Sequence, residues 1–181
     1  MACVLVAVLG SSLVVWQSAY ATFTASSAPT GARVSTGTVI LGDDDVEQTL
    51  FTVTGIKPGA SGERCIRVTS SGTSPATVKM YGTGRSSTNG LAAAMTLTVH
   101  TSTGGSALSC RDFRQPQSVY SGTLAGFDEE GFAAGLGAWS TTGTAPESRA
   151  YRISWSLPAG APLSVQGGSA GLTFVWEAQS R

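Results

Sequence analysis

Few side chains in this sequence are equipped for chemistry, and their spacing narrows the choices. There is one histidine, His100, at the end of the alternating run Thr96-Leu97-Thr98-Val99-His100. Zinc hydrolases draw on several His, Asp or Glu ligands, often with His-Glu-x-x-His on a helix, so that two imidazoles share a face and a carboxylate activates water. A lone imidazole on the outward side of a strand does not meet that need and reads as a solvated residue. A serine hydrolase meets the same shortage, since its nucleophile needs an imidazole base and an orienting acid. The abundant Ser and Thr read as strand and turn material. Phosphate-cradling loops are missing as well: the glycines fall in turns, and none leads into Gly-Lys-Ser or Gly-Lys-Thr. No catalytic residue and no cofactor is assigned, and the expectation is a protein that is not an enzyme.

Two acidic clusters, Asp43-Asp44-Asp45 with Glu47 and Asp128-Glu129-Glu130, offer oxygen ligands. Neither has the Asp-x-Asp-x-Asp-Gly spacing of a calcium loop, so both read as solvated and no metal site is assigned. Trp139, Tyr120 and Tyr151 are candidates for a sugar-binding face, although Tyr151 and Trp155 at alternating spacing are more simply core. Of the three cysteines, Cys3 precedes an apolar run, the wrong side of it for a lipoprotein anchor. In an oxidising compartment the other two, Cys65 and Cys110, more often pair than stay free. A bridge between them closes a loop worth roughly 4 kcal/mol in the chain-entropy account. Two unrelated buried thiols are the alternative at this level.

Strands must hold these residues. Glycine is plentiful at 23 residues and charged residues make up only 12%, a profile that suits short strands joined by tight turns and suits helices poorly. Lys plus Arg number 11, as do Asp plus Glu, so no global field attracts nucleic acid or an anionic membrane. Alternation places strands at about 22–26, 33–41, 49–54, 64–69, 76–81, 93–100, 119–124, 151–157 and 172–176. Inward rows are Ile66 with Val68, Val78 with Met80, Met95 with Leu97 and Val99, Tyr151 with Ile153, Trp155 and Leu157, and Leu172 with Phe174 and Trp176. Gly55-Ile56-Lys57-Pro58-Gly59 supplies a turn, residues 82–90 a glycine and serine loop, and residues 101–118 a long irregular link. Residues 125–144 carry no clear pattern. Many short strands without a long amphipathic helix predict an all-β, two-sheet antiparallel sandwich of jelly-roll or immunoglobulin-like type.

The start of the chain has a different character. No residue from Met1 to Ala32 is charged, and Val4 to Trp16 is almost continuously apolar. This run is short for a membrane span, which takes about 20 apolar residues, and Ala19-Tyr20-Ala21 fits the small-x-small signature of a signal-peptidase site. Met1-Ala2-Cys3 lacks the basic residue that usually opens such a leader. The expectation is a signal peptide over 1–21, cleaved between Ala21 and Thr22, with the membrane met only during export. About 160 residues then remain, enough for one domain. Its new N-terminus, Thr22-Phe23-Thr24-Ala25-Ser26, is strand sequence.

The order of these features resembles the TasA and camelysin family of exported proteins, in the form found in high-GC Gram-positive bacteria. The matching stretches are Ala19-Tyr20-Ala21-Thr22-Phe23-Thr24, Val34-Ser35-Thr36-Gly37-Thr38-Val39, Val53-Thr54-Gly55-Ile56-Lys57-Pro58-Gly59, residues 64–71, and the closing strands at 151–157 and 167–176. The resemblance implies a jelly-roll-like sandwich, a secreted or cell-surface location, and self-association into surface or matrix fibres. In such fibres the mature N-terminal segment completes the sheet of the next subunit, which assigns Thr22 to Ser26, with an extension toward Leu41, as donor strand. Pairing of 22–41 within its own domain satisfies the same backbone groups and is the competing arrangement. The camelysin name carries a metallopeptidase label, which a chain with one histidine gives no reason to transfer. A monomeric glycan-binding module is the other alternative.

Overall fold

An alternating segment settles as a strand when one face finds an apolar layer and the other finds water, and two sheets sharing one interior provide both. The computed structural model describes residues 41–43, 50–103, 110–114, 116–144 and 146–181, all within the unit Ser35–Arg181. The expected leader over 1–21, its cleavage residues Ala19, Ala21 and Thr22, and the donor residues Thr22, Phe23, Thr24, Ala25 and Ser26 lie outside the described residues. So do Asp44, Asp45 and Glu47.

The described strands are β1 (Leu41–Asp43), β2 (Leu50–Thr54), β3 (Ser61–Ser70), β4 (Ala76–Ser87), β5 (Thr96–Ser102), β6 (Gln117–Thr123), β7 (Leu136–Thr141), β8 (Glu147–Ser156) and β9 (Ser169–Ser180). One sheet has the order β1-β3-β8-β5-β6 and the other β2-β9-β4-β7, with every pairing antiparallel. Doubling the chain back at the β5–β6 connection pairs β6 with β5, β7 with β4, β8 with β3 and β9 with β2. The strands from β2 onward therefore form one long antiparallel ribbon. Rolled up, that ribbon gains β4 beside β9 and β5 beside β8, and every connection except β5 to β6 passes from one sheet to the other. This winding is a jelly roll and excludes the immunoglobulin-like alternative.

The interior is built from the expected rows. Ile66, Val68, Val78, Met80, Met95, Leu97, Val99, Tyr151, Ile153, Leu157, Leu172 and Phe174 are all buried, and Trp155 and Trp176 pack against them while partly buried. Phe127, in the link between β6 and β7, is fully buried and meets Tyr120 edge-on at 4.9 Å and Phe174 at 5.5 Å. Gly82 makes room for it. A Cβ there would stand 2.9 Å from Leu172 Cδ1 and 3.0 Å from Phe127 Cε1.

Several places differ from the sequence expectation. Strand β4 runs on to Ser87 through the expected loop, because β9 lies alongside and pairs Gly82 with Phe174 and Ser86 with Gly171. Residues Leu91–Ala94 form a single helical turn closed by Met95 N–H on the Leu91 carbonyl, so β5 begins only at Thr96. The unassigned stretch after residue 125 contains a second turn of helix, Gly131–Ala134, and then β7, where buried Trp139 and Thr141 alternate with exposed Ala138 and Ser140. Asp43, expected in an acidic loop, ends β1 opposite Val68.

Candidate functional site

The five-stranded sheet has an incompletely paired rim at β3 among the described residues. All ten residues of β3 pair with β8, from Ser61 opposite Ser156 to Ser70 opposite Glu147. The Leu157 N–H donates to the Ala60 carbonyl at 2.8 Å. In an antiparallel ladder the direction alternates, so even-numbered residues of β3 bond to β8 and odd-numbered ones turn their N–H and C=O the other way. On that other side β1 covers only Val68 to Ser70. Among the described residues no strand lies beside Ser61, Glu63 and Cys65 there. Leu41, the last residue of the expected donor range, is itself paired within its own chain, opposite Ser70.

Cys65 and Cys110 are joined in a disulfide with Cα atoms 5.4 Å apart, inside the ordinary range. The bridge ties the short helical turn Cys110–Asp112 onto the outward face of β3. Two further contacts hold the same segment down. The Arg152 guanidinium, directly across from Cys65 on β8, lies 4.9 Å from the centre of the Phe113 ring, and the Ser102 hydroxyl donates to the Arg114 carbonyl. His100 stands next in this row, opposite Arg152 on β5. It faces outward as expected, but it is half-buried, and its Nδ1 is shut off from solvent without a hydrogen-bond partner. Strand alternation gives the outward side of His100 but not this burial.

Beyond this covered row the outward face becomes a shallow hydroxyl-lined depression. Ser61, Ser156 and Thr96 form one cross-strand row, and Glu63, Ser154 and Thr98 form the next. Thr96 Oγ1 and Ser156 Oγ lie 2.6 Å apart in a hydrogen bond.

The other candidates do not converge. Among the described residues no three His, Cys, Asp or Glu side chains gather in one place. Asp128 and Glu130 are exposed and Glu129 half-buried. Burial pushes the nearby Tyr120 hydroxyl above its ordinary 10, with the Glu129 and Asp128 charges adding and Arg85 opposing. The proposed aromatic face is not a surface. Trp139 and Tyr151 are buried, and the Trp139 indole N–H donates to the Tyr151 hydroxyl at 3.1 Å. The chain also carries Gly167-Gly168-Ser169-Ala170-Gly171, which spells Gly-x-Ser-x-Gly, a pattern that marks hydrolases when it turns a strand into a helix. Here it leads from a turn into β9, and the Ser169 hydroxyl is bonded to Thr88 Oγ1 at 3.0 Å. His100, the one imidazole of the sequence, lies on the outward side of the other sheet, so no imidazole base stands beside this serine. No family model matches the sequence, and none of the curated proteins is similar enough to match.

Proposed function

We propose that the chain is an extracellular structural protein of the TasA and camelysin type that assembles into surface or matrix fibres, the strand 22–26 of one copy adding to the β3 rim of the next. The observation that carries this reading is the row of outward-turned backbone groups at Ser61, Glu63 and Cys65, beside which no strand lies among the described residues. An added strand satisfies such groups along its length. A donor at one end and an acceptor edge elsewhere make a head-to-tail contact that repeats without closing. Glu63 and Arg64, both exposed on the rim, disfavour indiscriminate pairing, and the uncharged Thr22-Phe23-Thr24-Ala25-Ser26 brings no like charge against either. The Cys65–Cys110 bridge fits an oxidising compartment, and among the described residues no helix is long and apolar enough to cross a membrane. Signal peptidase is then the partner that frees the donor.

Negative-stain microscopy of protein beginning at Thr22, beside protein beginning at Leu41, tests the reading. Filaments are expected from the first and only monomers from the second. Monomers from both over a wide concentration range, or filaments from both, overturn it.

A further inference from the structure

We propose that the depression on the outer face of β3, β8 and β5 binds a neutral polysaccharide chain. It measures about 390 Å³, within the usual size of a small-ligand site. Register sets its lining on a grid: Ser61, Ser156 and Thr96 in one row, Glu63, Ser154 and Thr98 in the next. Neighbours across strands are about 4.8 Å apart and neighbours along a strand about 6.8 Å. The rows continue onto β6 at Thr123 and Ser121, so an extended ligand finds the same chemistry past the depression.

The lining selects the ligand class. Five hydroxyls supply donors and acceptors, those of Thr96 and Ser156 sharing one bond between them, and the exposed Glu63 carboxylate brings two acceptor oxygens that suit the paired O–H donors of a vicinal diol. No Lys or Arg lines the depression, so a polyanion meets no counter-charge and is repelled by Glu63. An apolar ligand would strip water from the hydroxyls and return no hydrogen bond. A polymer rich in neutral hydroxyls fits on both counts. Gly62 and Trp155 complete the lining; Trp155 is partly buried and packs against the core, so recognition here rests mainly on hydrogen bonding, and affinity per sugar is low and rises with chain length. The depression is complete within one copy, and the proposal stands whether or not the chain assembles.

Affinity gel electrophoresis of the whole protein in hydroxyethylcellulose, laminarin and yeast mannan, with alginate as the anionic control, tests it. Retardation by at least one neutral polymer and not by alginate is expected. The Thr98→Val, Ser154→Val double variant is expected to weaken it about ten-fold, as losing directed hydrogen bonds does. Leu163→Ser, at a residue 77% exposed and outside the depression, is expected to leave it unchanged. If the double variant does not fold, the near-isosteric Glu63→Gln carries the test, with a several-fold loss expected. Absence of retardation in all three neutral polymers, preference for alginate, or retardation untouched by the substitutions overturns the proposal.

Discussion

At the scale of single residues, Tyr151 and Gly82 show how much of the fold depends on individual atoms. Burial pushes the Tyr151 hydroxyl up to about 12, while the bond from the Trp139 indole N–H acts in the opposite direction. The folded state keeps that proton in a range where the unfolded chain, titrating near 10, has lost it. Stability from this group is therefore fully present below pH 10 and falls by about 1.4 kcal/mol per pH unit up to pH 12. Denaturant midpoints measured across that window are expected to show the fall, and Tyr151→Phe to flatten it. At neutral pH the same variant is expected to lose about 1–3 kcal/mol, because the Trp139 N–H stays buried without its acceptor. Gly82→Ala places a methyl against Leu172 and Phe127 and is expected to cost about 1–3 kcal/mol by thermal or chemical denaturation. Alternation gave Tyr151 its inward position in advance, since the period of two is a property of the chain itself. It did not give Trp139 its partner or Gly82 its neighbours, because those contacts join residues distant in sequence.

At the scale of elements, β3 is where local pattern and long-range chemistry meet. Its inward Ile66 and Val68 were legible from spacing, and so was the outward Cys65. The bridge to Cys110 was one of two readings until the structure joined them. Replacing both cysteines by alanine is expected to lower stability by roughly 4 kcal/mol, read as a lower denaturant midpoint. The rim itself separates two proline variants. The Gly62 N–H points to β8, so Gly62→Pro removes a ladder bond and is expected to destabilise the monomer strongly. The Glu63 N–H points outward, so Glu63→Pro is expected to leave the monomer folded and to abolish filaments. Circular dichroism melts alongside microscopy distinguish the two, and filaments from Glu63→Pro at normal yield would remove β3 as the acceptor. Strand β7 and the far half of β4 escaped the sequence for a related reason. Glycine and serine favour turns, and only the neighbouring β9 and β4 supply the backbone partners that hold these stretches extended.

At the scale of the molecule, the two-sheet sandwich was legible because many short alternating strands leave little else to build. The jelly-roll winding was less so, since the same strands can be connected in several orders and only the pairing of β2 with β9, β3 with β8 and β4 with β7 selects one. The hydroxyl-lined depression was invisible for a similar reason: its six polar side chains come from three strands that register alone brings together. The proposed fibre assembly would rest on the rim of β3, and amide hydrogen exchange reports on that rim residue by residue. In monomeric protein the Ser61, Glu63 and Cys65 amides are expected to exchange fast, and in assembled protein to become protected, with the rims of β2, β6 and β7 unchanged. Assembled material whose Ser61, Glu63 and Cys65 amides still exchange fast, or whose new protection falls on another rim, would contradict strand addition at β3.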